Sequence, residues 1–198
     1  SKPYAHDAGK QALGNHLASK YPESFSHVDD GDNLFTYKPR FKVTTETKAS
    51  IIIPIRDKVE LLQQLLISID EKSSWINYEI IIVDNGSVED RTASYLKELK
   101  KDCKYKVIRD DSDFNWSKVN NLGVSIASGD VYIFLNNDTL VVSDDWLESL
   151  LAWAQLPEVG LVGPRLLYED GTLQHAGLVV GMGGWADHIF KAEEQAHK

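Results

Sequence analysis

The 198-residue sequence holds a single cysteine, Cys103. One thiol excludes an intrachain disulfide and any cysteine metal cluster. Set in the charged stretch KKDCKYK, it reads as a bland, partly buried side chain rather than a nucleophile. No apolar run approaches the length of a membrane span, and the opening SKPYAHDAGK lacks the apolar core of a signal peptide. Those two absences predict a cytoplasmic protein and no transmembrane segment in this chain, with the inner face of the cell membrane left open as a place of work. Basic residues are scarce too: 21 Lys and Arg stand against 30 Asp and Glu, a formal net charge of -9. This argues against a general nucleic-acid or anionic-membrane binder, which needs a basic face. An acidic protein that handles phosphates needs a local correction, such as a metal ion or a few well-placed basic groups.

One further absence is local. Ala49 to Ile55 reads ASIIIPI, a continuous apolar run that fits a strand covered on both faces, with Pro54 expected to end it. A dinucleotide-binding fold wants G-x-G-x-x-G just after such a first strand. Here Arg56 and Asp57 follow instead, and no Walker loop is present. Leucines and isoleucines from Val59 to Ile69 then recur at helical spacing, with Asp57 as the expected N-cap. Tyr78 to Val83 is a second strand, ending in Asp84-Asn85-Gly86-Ser87; Ser87 or Asp90 is positioned to cap the helix that runs to about Lys101. Lys104 to Arg109 gives a third strand and Asn115 to Ser128 a third helix. Val131 to Leu135 is a fourth strand, broken by Asn136-Asn137-Asp138. Repeated β-α-β units predict an α/β fold with a doubly wound, mainly parallel sheet flanked by helices.

Such sheets bind ligands beyond the carboxyl ends of their strands. Two strand ends carry acids, Asp84 and Asp138. The first is placed to accept from a nucleoside. The second, with its flanking amides, suits a hard divalent ion that shares its shell with water and phosphate. A plain polar turn remains the competing reading of Asn-Asn-Asp-Thr.

The flanks are less informative. Asp7 to Lys20 is expected as a helix, DDGDN at 29–33 as a loop, and Leu34 to Val43 as one extended piece. Ser143 to Gln155 is expected as a helix, stopped by Pro157. Val159 to Tyr168 and Thr172 to Val180 flank Asp170-Gly171, a hairpin signal that predicts a C-terminal β-hairpin region. The expected division is a 1–47 appendage or linker, a 48–190 ligand-binding α/β domain and a disordered 191–198 tail.

The blocks ASIIIPIRDKVELL, YEIIIVDNGS, FNWSKVNNLGVSIASGDVYIFLNNDT and VGLVGPRLLYEDGTLQHAGLVVG, in this order, resemble the family-2 glycosyltransferases, in particular the bacterial branch that builds surface polysaccharides. The resemblance spans about Ala49 to Phe190. It implies a GT-A fold, a nucleotide-diphosphate-sugar donor, a divalent metal (Mn2+ or Mg2+), and a glycan or lipid-linked acceptor. By position, Asp84 resembles the acid that reads the base. Pro54, Arg56 and Asp57 resemble the loop beside the nucleoside, and Asn115, Lys118 and Asn121 the helix face flanking base and diphosphate. Asp138 stands at the metal position and Asn137 faces the ribose, although the first two positions of this D-x-D-type motif are amides here. His175 and Trp185 are candidates for the donor sugar. Each also has a plainer reading: Asp57 as a helix cap, Asn115 and Asn121 as loop pins, Lys118 as a solvated charge, and His175 as a hairpin histidine.

The implied reaction is transfer of the sugar to an acceptor hydroxyl, with inversion. The family's catalytic base is a carboxylate in an E-D-type motif, and no matching context occurs after Gly184. The base is therefore expected beyond residue 198, in a missing acceptor part. A non-catalytic nucleotide-sugar-binding or assembly domain is the alternative.

Overall fold

The computed structural model describes residues 3–44, 46–182 and 185–188, with no side-chain description for the last four. The expected tail at 191–198 lies outside the described residues. Contacts divide the chain into two compact units, Thr44–Leu151 and Ser1–Val43 with Ala152–Lys198.

In the second of these, helix α1 (Pro3–Lys20) precedes an antiparallel pair, β1 (Phe25–Asp30) and β2 (Tyr37–Phe41). The extended piece expected from Leu34 is thus shorter. The turn before it holds Phe35 at φ 69, a left-handed conformation rare outside glycine. Buried His6 pins that turn: its Nδ1 accepts from the Phe35 N–H at 2.9 Å, and Nε2 lies 2.9 Å from Asp30 Oδ1. Phe41, Ala152 and Leu156 form the small core of this unit, with Phe25 and Tyr21 packed on it. The C-terminal strands are far shorter than Val159–Tyr168 and Thr172–Val180. They are β7 (Leu166–Leu167), β8 (Leu173–His175), β9 (Leu178–Met182) and β10 (Trp185–His188).

Thr44–Leu151 contains the sheet. Its strands are β3 (Ala49–Ile55), β4 (Tyr78–Asp84), β5 (Tyr105–Arg109) and β6 (Val131–Phe134). All pair in parallel, in the order β5-β4-β3-β6. Every residue of β3 is buried, as its continuous apolar pattern requires. Helices α2 (Val59–Lys72) and α3 (Asp90–Leu99) cover one face, where Ile51, Ile53, Leu62, Leu65, Ile80, Ile82 and Leu96 meet. Helix α4 (Trp116–Ile126) covers the other, packing Val119 against Ile52, Ile81 and Val83. Gly123 permits its close approach, since a Cβ there would lie 2.5 Å from Ile52 Cγ2. Helix α5 (Trp146–Ala154) adds fully buried Leu147 and Leu151. This is the doubly wound α/β arrangement expected from the sequence.

Pro54 does not end β3; it pairs with Val83 inside the strand. The Ile52 carbonyl accepts from Leu135 N, whereas the Ile55 carbonyl accepts from Asn85 N. Alternate residues therefore address opposite neighbours, and Pro54 addresses the β6 side. The β6 ladder stops at the Ile52–Phe134 pair, so the missing proline N–H lies beyond it and no ladder bond is lost. Cys103 is exposed rather than partly buried, because it sits in the turn before β5.

Candidate functional site

Parallel register brings four loops to one edge of the sheet. Ile55 pairs with Asp84, Asp84 with Arg109, and Ile52 with Phe134. The segments after β3, β4, β5 and β6 therefore all leave from the carboxyl edge. The chain runs β3 to β4 to β5 in one direction, then returns to place β6 on the other side of β3. The winding reverses between β3 and β6, where open α/β sheets leave a crevice.

Asp84 closes β4 and is 5% exposed. Its Oδ1 accepts from Ser87 N at 2.9 Å and its Oδ2 from Arg109 Nη1 at 2.8 Å. The same Arg109 nitrogen donates to the Ser87 carbonyl at 3.0 Å, and Arg109 Nε donates to Asp111. Hydrogen bonding to Asp111, then the charge of Asp84, push the guanidinium pKa up from its ordinary value. Gly86, at φ 75, makes the left-handed turn between Asp84 and Ser87.

The Asp57 and Lys58 backbones are also left-handed, at φ 56 and φ 53, without the glycine that usually relieves such strain. Asp57 is not the N-cap of α2. Lys58 is, with no side-chain cap bond. The Asp57 carboxylate instead crosses to the next loop, where Oδ1 accepts from Val88 N and Glu89 N, both at 2.9 Å. Those amides open α3, whose N-cap is Glu89 rather than Ser87 or Asp90. Ser87 faces the other way, its Oγ accepting from Asp57 N at 2.8 Å. Pro54 is buried beside this loop and Arg56 is exposed on it.

Helix α4 begins at Trp116, one residue after the expected start. Asn115 is its N-cap, accepting from Lys118 N at 3.0 Å. The exposed Lys118 ammonium contacts Ser112 Oγ at 2.5 Å and Asp110 at 3.7 Å. Asn121 is exposed. Its neighbour Asn120, not singled out in the sequence, is the buried one; its Nδ2 bonds the Trp116 carbonyl, and Oδ1 is without a partner among the described residues. Asn85 is similar: Nδ2 pins the carbonyls of Asp110 and Ser112, and buried Oδ1 is unpartnered among the described residues. The spacing of Val119, Asn120 and Gly123 on one helical face was the available signal for Asn120.

Beyond β6, Asn136 to Thr139 form a turn closed by Thr139 Oγ1 donating to the Asn136 carbonyl at 2.7 Å. Asn137 is half-buried and Asp138 exposed. Among the described residues, no three His, Cys, Asp or Glu side chains gather as a protein-made metal cage. One exposed carboxylate beside amide and hydroxyl oxygens does fit an ion completed by water and phosphate. His175 ends β8 and is half-buried, and Trp185 opens β10; both belong to the other unit. No helix among the described residues is long and apolar enough to cross a membrane.

Comparison with known proteins places this geometry. The model of the family described as Glycosyl transferase family 2 matches residues 50–193. The chain is 40% identical over 189 residues to an uncharacterized protein of Sinorhizobium fredii, covering 95% of this chain and 21% of that protein. It is 39% identical over 183 residues to the O-antigen biosynthesis protein RfbC of Myxococcus xanthus, covering 92% of this chain and 14% of that protein. The chain thus spans about a fifth or less of the length of these relatives. Among solved structures, the mannosyltransferase PcManGT of Pyrobaculum calidifontis, in complex with GDP-Man and Mn2+, superposes with a TM-score of 0.52 at 16% identity, covering 79% of this chain and 43% of that one.

Proposed function

The chain belongs to glycosyl transferase family 2 and has the GT-A fold, and from that premise we propose that its carboxyl-edge loops form the donor half of a glycosyltransferase acting in surface-polysaccharide synthesis. The single observation that carries this reading is the placement of Asp84, Arg109 and the Asn137-Asp138 turn along the carboxyl edge of one parallel sheet, whose winding reverses between β3 and β6. The donor is a nucleotide-diphosphate-sugar. A glycan or lipid-linked hydroxyl accepts the sugar, with inversion.

Asp84 accepts from an N–H of the base. Arg56, Asn115, Lys118 and Asn121 face the nucleotide from neighbouring loops, and Asn137 faces the ribose. Lys118, exposed at the first turn of α4, adds positive charge to that of Arg56 on this edge of an acidic chain. Asp138 holds the divalent ion, Mn2+ or Mg2+, together with the donor's phosphates. When bound, that ion neutralises the charge that develops on the leaving nucleoside diphosphate. His175 and Trp185 are the donor-sugar candidates. The acceptor hydroxyl must lose its proton to a general base.

Calorimetric titration with UDP, dTDP and GDP tests the reading, each with Mn2+, with Mg2+ and with chelator. Metal-dependent binding of one nucleotide, lost in Asp138→Ala, is the expected result. Failure of all three to bind under every condition would overturn it.

A further inference from the structure

Asp84 is not held by its own loop alone. Ser87 donates its N–H to Asp84 Oδ1 and offers its carbonyl to the arginine nitrogen that grips Asp84 Oδ2. Ser87 Oγ also accepts from Asp57 N on the preceding loop. Asp57 returns the contact by accepting from both amides that follow Ser87. Three loops, after β3, β4 and β5, are thereby closed into one hydrogen-bonded ring with Ser87 at its centre. Ser87 is 6% exposed, yet the next residue, Val88, is 81% exposed. Asp84 and Ser87 are buried at the centre of the ring, and its rim, at Val88 and the Arg109 side chain, is open to solvent.

The ring maintains a conformation that the chain does not favour by itself. Asp57 and Lys58 are both left-handed without glycine, a conformation that L-residues disfavour. Three bonds between Asp57 and the Ser87–Glu89 segment, across the two loops, offset this strain. Rotation of the Asp84 carboxylate would break its bonds to Ser87 N or Arg109, so its oxygens are fixed before any ligand arrives.

Resting on the donor-site reading above, we propose that Ser87 and Asp57 are positioning residues: they hold the Asp84 carboxylate in the orientation that reads the nucleoside and do not themselves touch the donor. Asp57 is thereby moved from the nucleotide contacts implied by its sequence position to the support beneath them. Its carboxylate is spent on Val88 and Glu89. A bond lost beneath Asp84 must weaken binding through the base and leave binding through the diphosphate intact.

The test uses this chain with Mn2+ and four probes: UDP, dTDP, GDP and inorganic pyrophosphate. Ser87→Ala removes the Oγ acceptor of Asp57 N while leaving the main-chain bonds to Asp84 and Arg109, and is expected to weaken the nucleotide that binds by about fivefold, the loss typical of one neutral hydrogen bond, and to leave pyrophosphate unchanged. In an Asp84→Asn background the same change is expected to cost nothing further, because residues acting through one another are not additive. Asp57→Ala repeats the pattern, and Asp57→Asn, which keeps an acceptor and tolerates left-handed backbone, restores affinity. Hydrogen exchange at Val88 and Glu89 reads the ring without any ligand and rises in Asp57→Ala. If a nucleotide binds and the Ser87 and Asp84 losses add, or pyrophosphate weakens equally, the positioning role is overturned and the donor site stands. If no nucleotide binds the unaltered chain, the donor-site reading falls and the positioning role falls with it.

Discussion

The two ends of the parallel sheet each bury a carboxylate against basic partners, yet they are built differently. At the amino edge, Glu79 is 5% exposed and accepts from Ser50 Oγ, Ser128 N, Ser128 Oγ and Lys106 Nζ, with Lys48 at 3.5 Å. Gly129 N bonds Ser50 Oγ, and Asp130 accepts from Lys48 N. Burial alone would raise the Glu79 pKa. The bonds from Lys106, Ser128 and Ser50 outweigh it and hold the carboxyl at about 2. At the carboxyl edge, Asp84 is buried to the same degree, but its loops carry left-handed residues and its arginine is nearly half exposed. The amino edge is a fully bonded seam joining β3, β4, β5 and the turn before β6. The carboxyl edge stores strain beside solvent. A buried charge therefore does not by itself mark a site; what sets Asp84 apart is its place on strained loops beyond the carboxyl ends, where open α/β sheets take their ligands.

Breaking the seam gives the largest effect. Glu79→Ala removes the buried acceptor shared by Lys106, Ser50 and Ser128 and is expected to cost about 3 kcal/mol in urea unfolding at pH 7. The Glu79 pKa is depressed on folding, so its stabilisation is complete above the unfolded value of about 4.5 and is lost as pH falls toward about 2. The gap between the native chain and Glu79→Gln should accordingly narrow from pH 6 to pH 3; a constant gap would refute the assignment. Next comes Gly123→Ala, which forces a methyl onto Ile52 and is expected to cost about 2 kcal/mol by overpacking. Smallest in stability is Asp138→Ala at the carboxyl edge. Its side chain is exposed, so unfolding should shift by less than about 0.5 kcal/mol, while Mn2+-dependent nucleotide affinity falls about tenfold or more. A stability loss comparable to that of Glu79→Ala would erase the contrast between the two edges.

Much of the sheet was legible because its strands are buried on both faces. ASIIIPI and YEIIIV announce β3 and β4 to within a residue, and the leucine spacing announces α2. The caps were not legible. A capping side chain was expected to serve its own helix, whereas Asp57 serves α3 from another loop, a pairing of residues 31 and 32 positions apart that no local pattern encodes. Strand β1, FSHVDD, passed unnoticed because only Val28 is buried and its remaining residues read as loop. The C-terminal strands were overdrawn because apolar alternation marks where a strand can form, and the hairpin pairing fixes only Leu166–Leu167 with Leu173–His175. In the site, Asp84 was readable as an acid at a strand end. Arg109 and Ser87 were not, because their importance lies in what the register sets beside them.

The pairing of β3 with β6 has a kinetic consequence. The bond between Lys48 N and Asp130 joins residues 82 positions apart, whereas β3 with β4 and β4 with β5 close through single helices. Loop closure over the longer span costs more entropy before any contact rewards it. The β3-β4-β5 half is thus expected to assemble first and β6 to dock last, which pulse-labelled hydrogen exchange would show as late protection of Leu135 N. The turn that carries Asp138 would then arrive only as folding finishes, and a chain caught before that step would hold Asp84 in place without it.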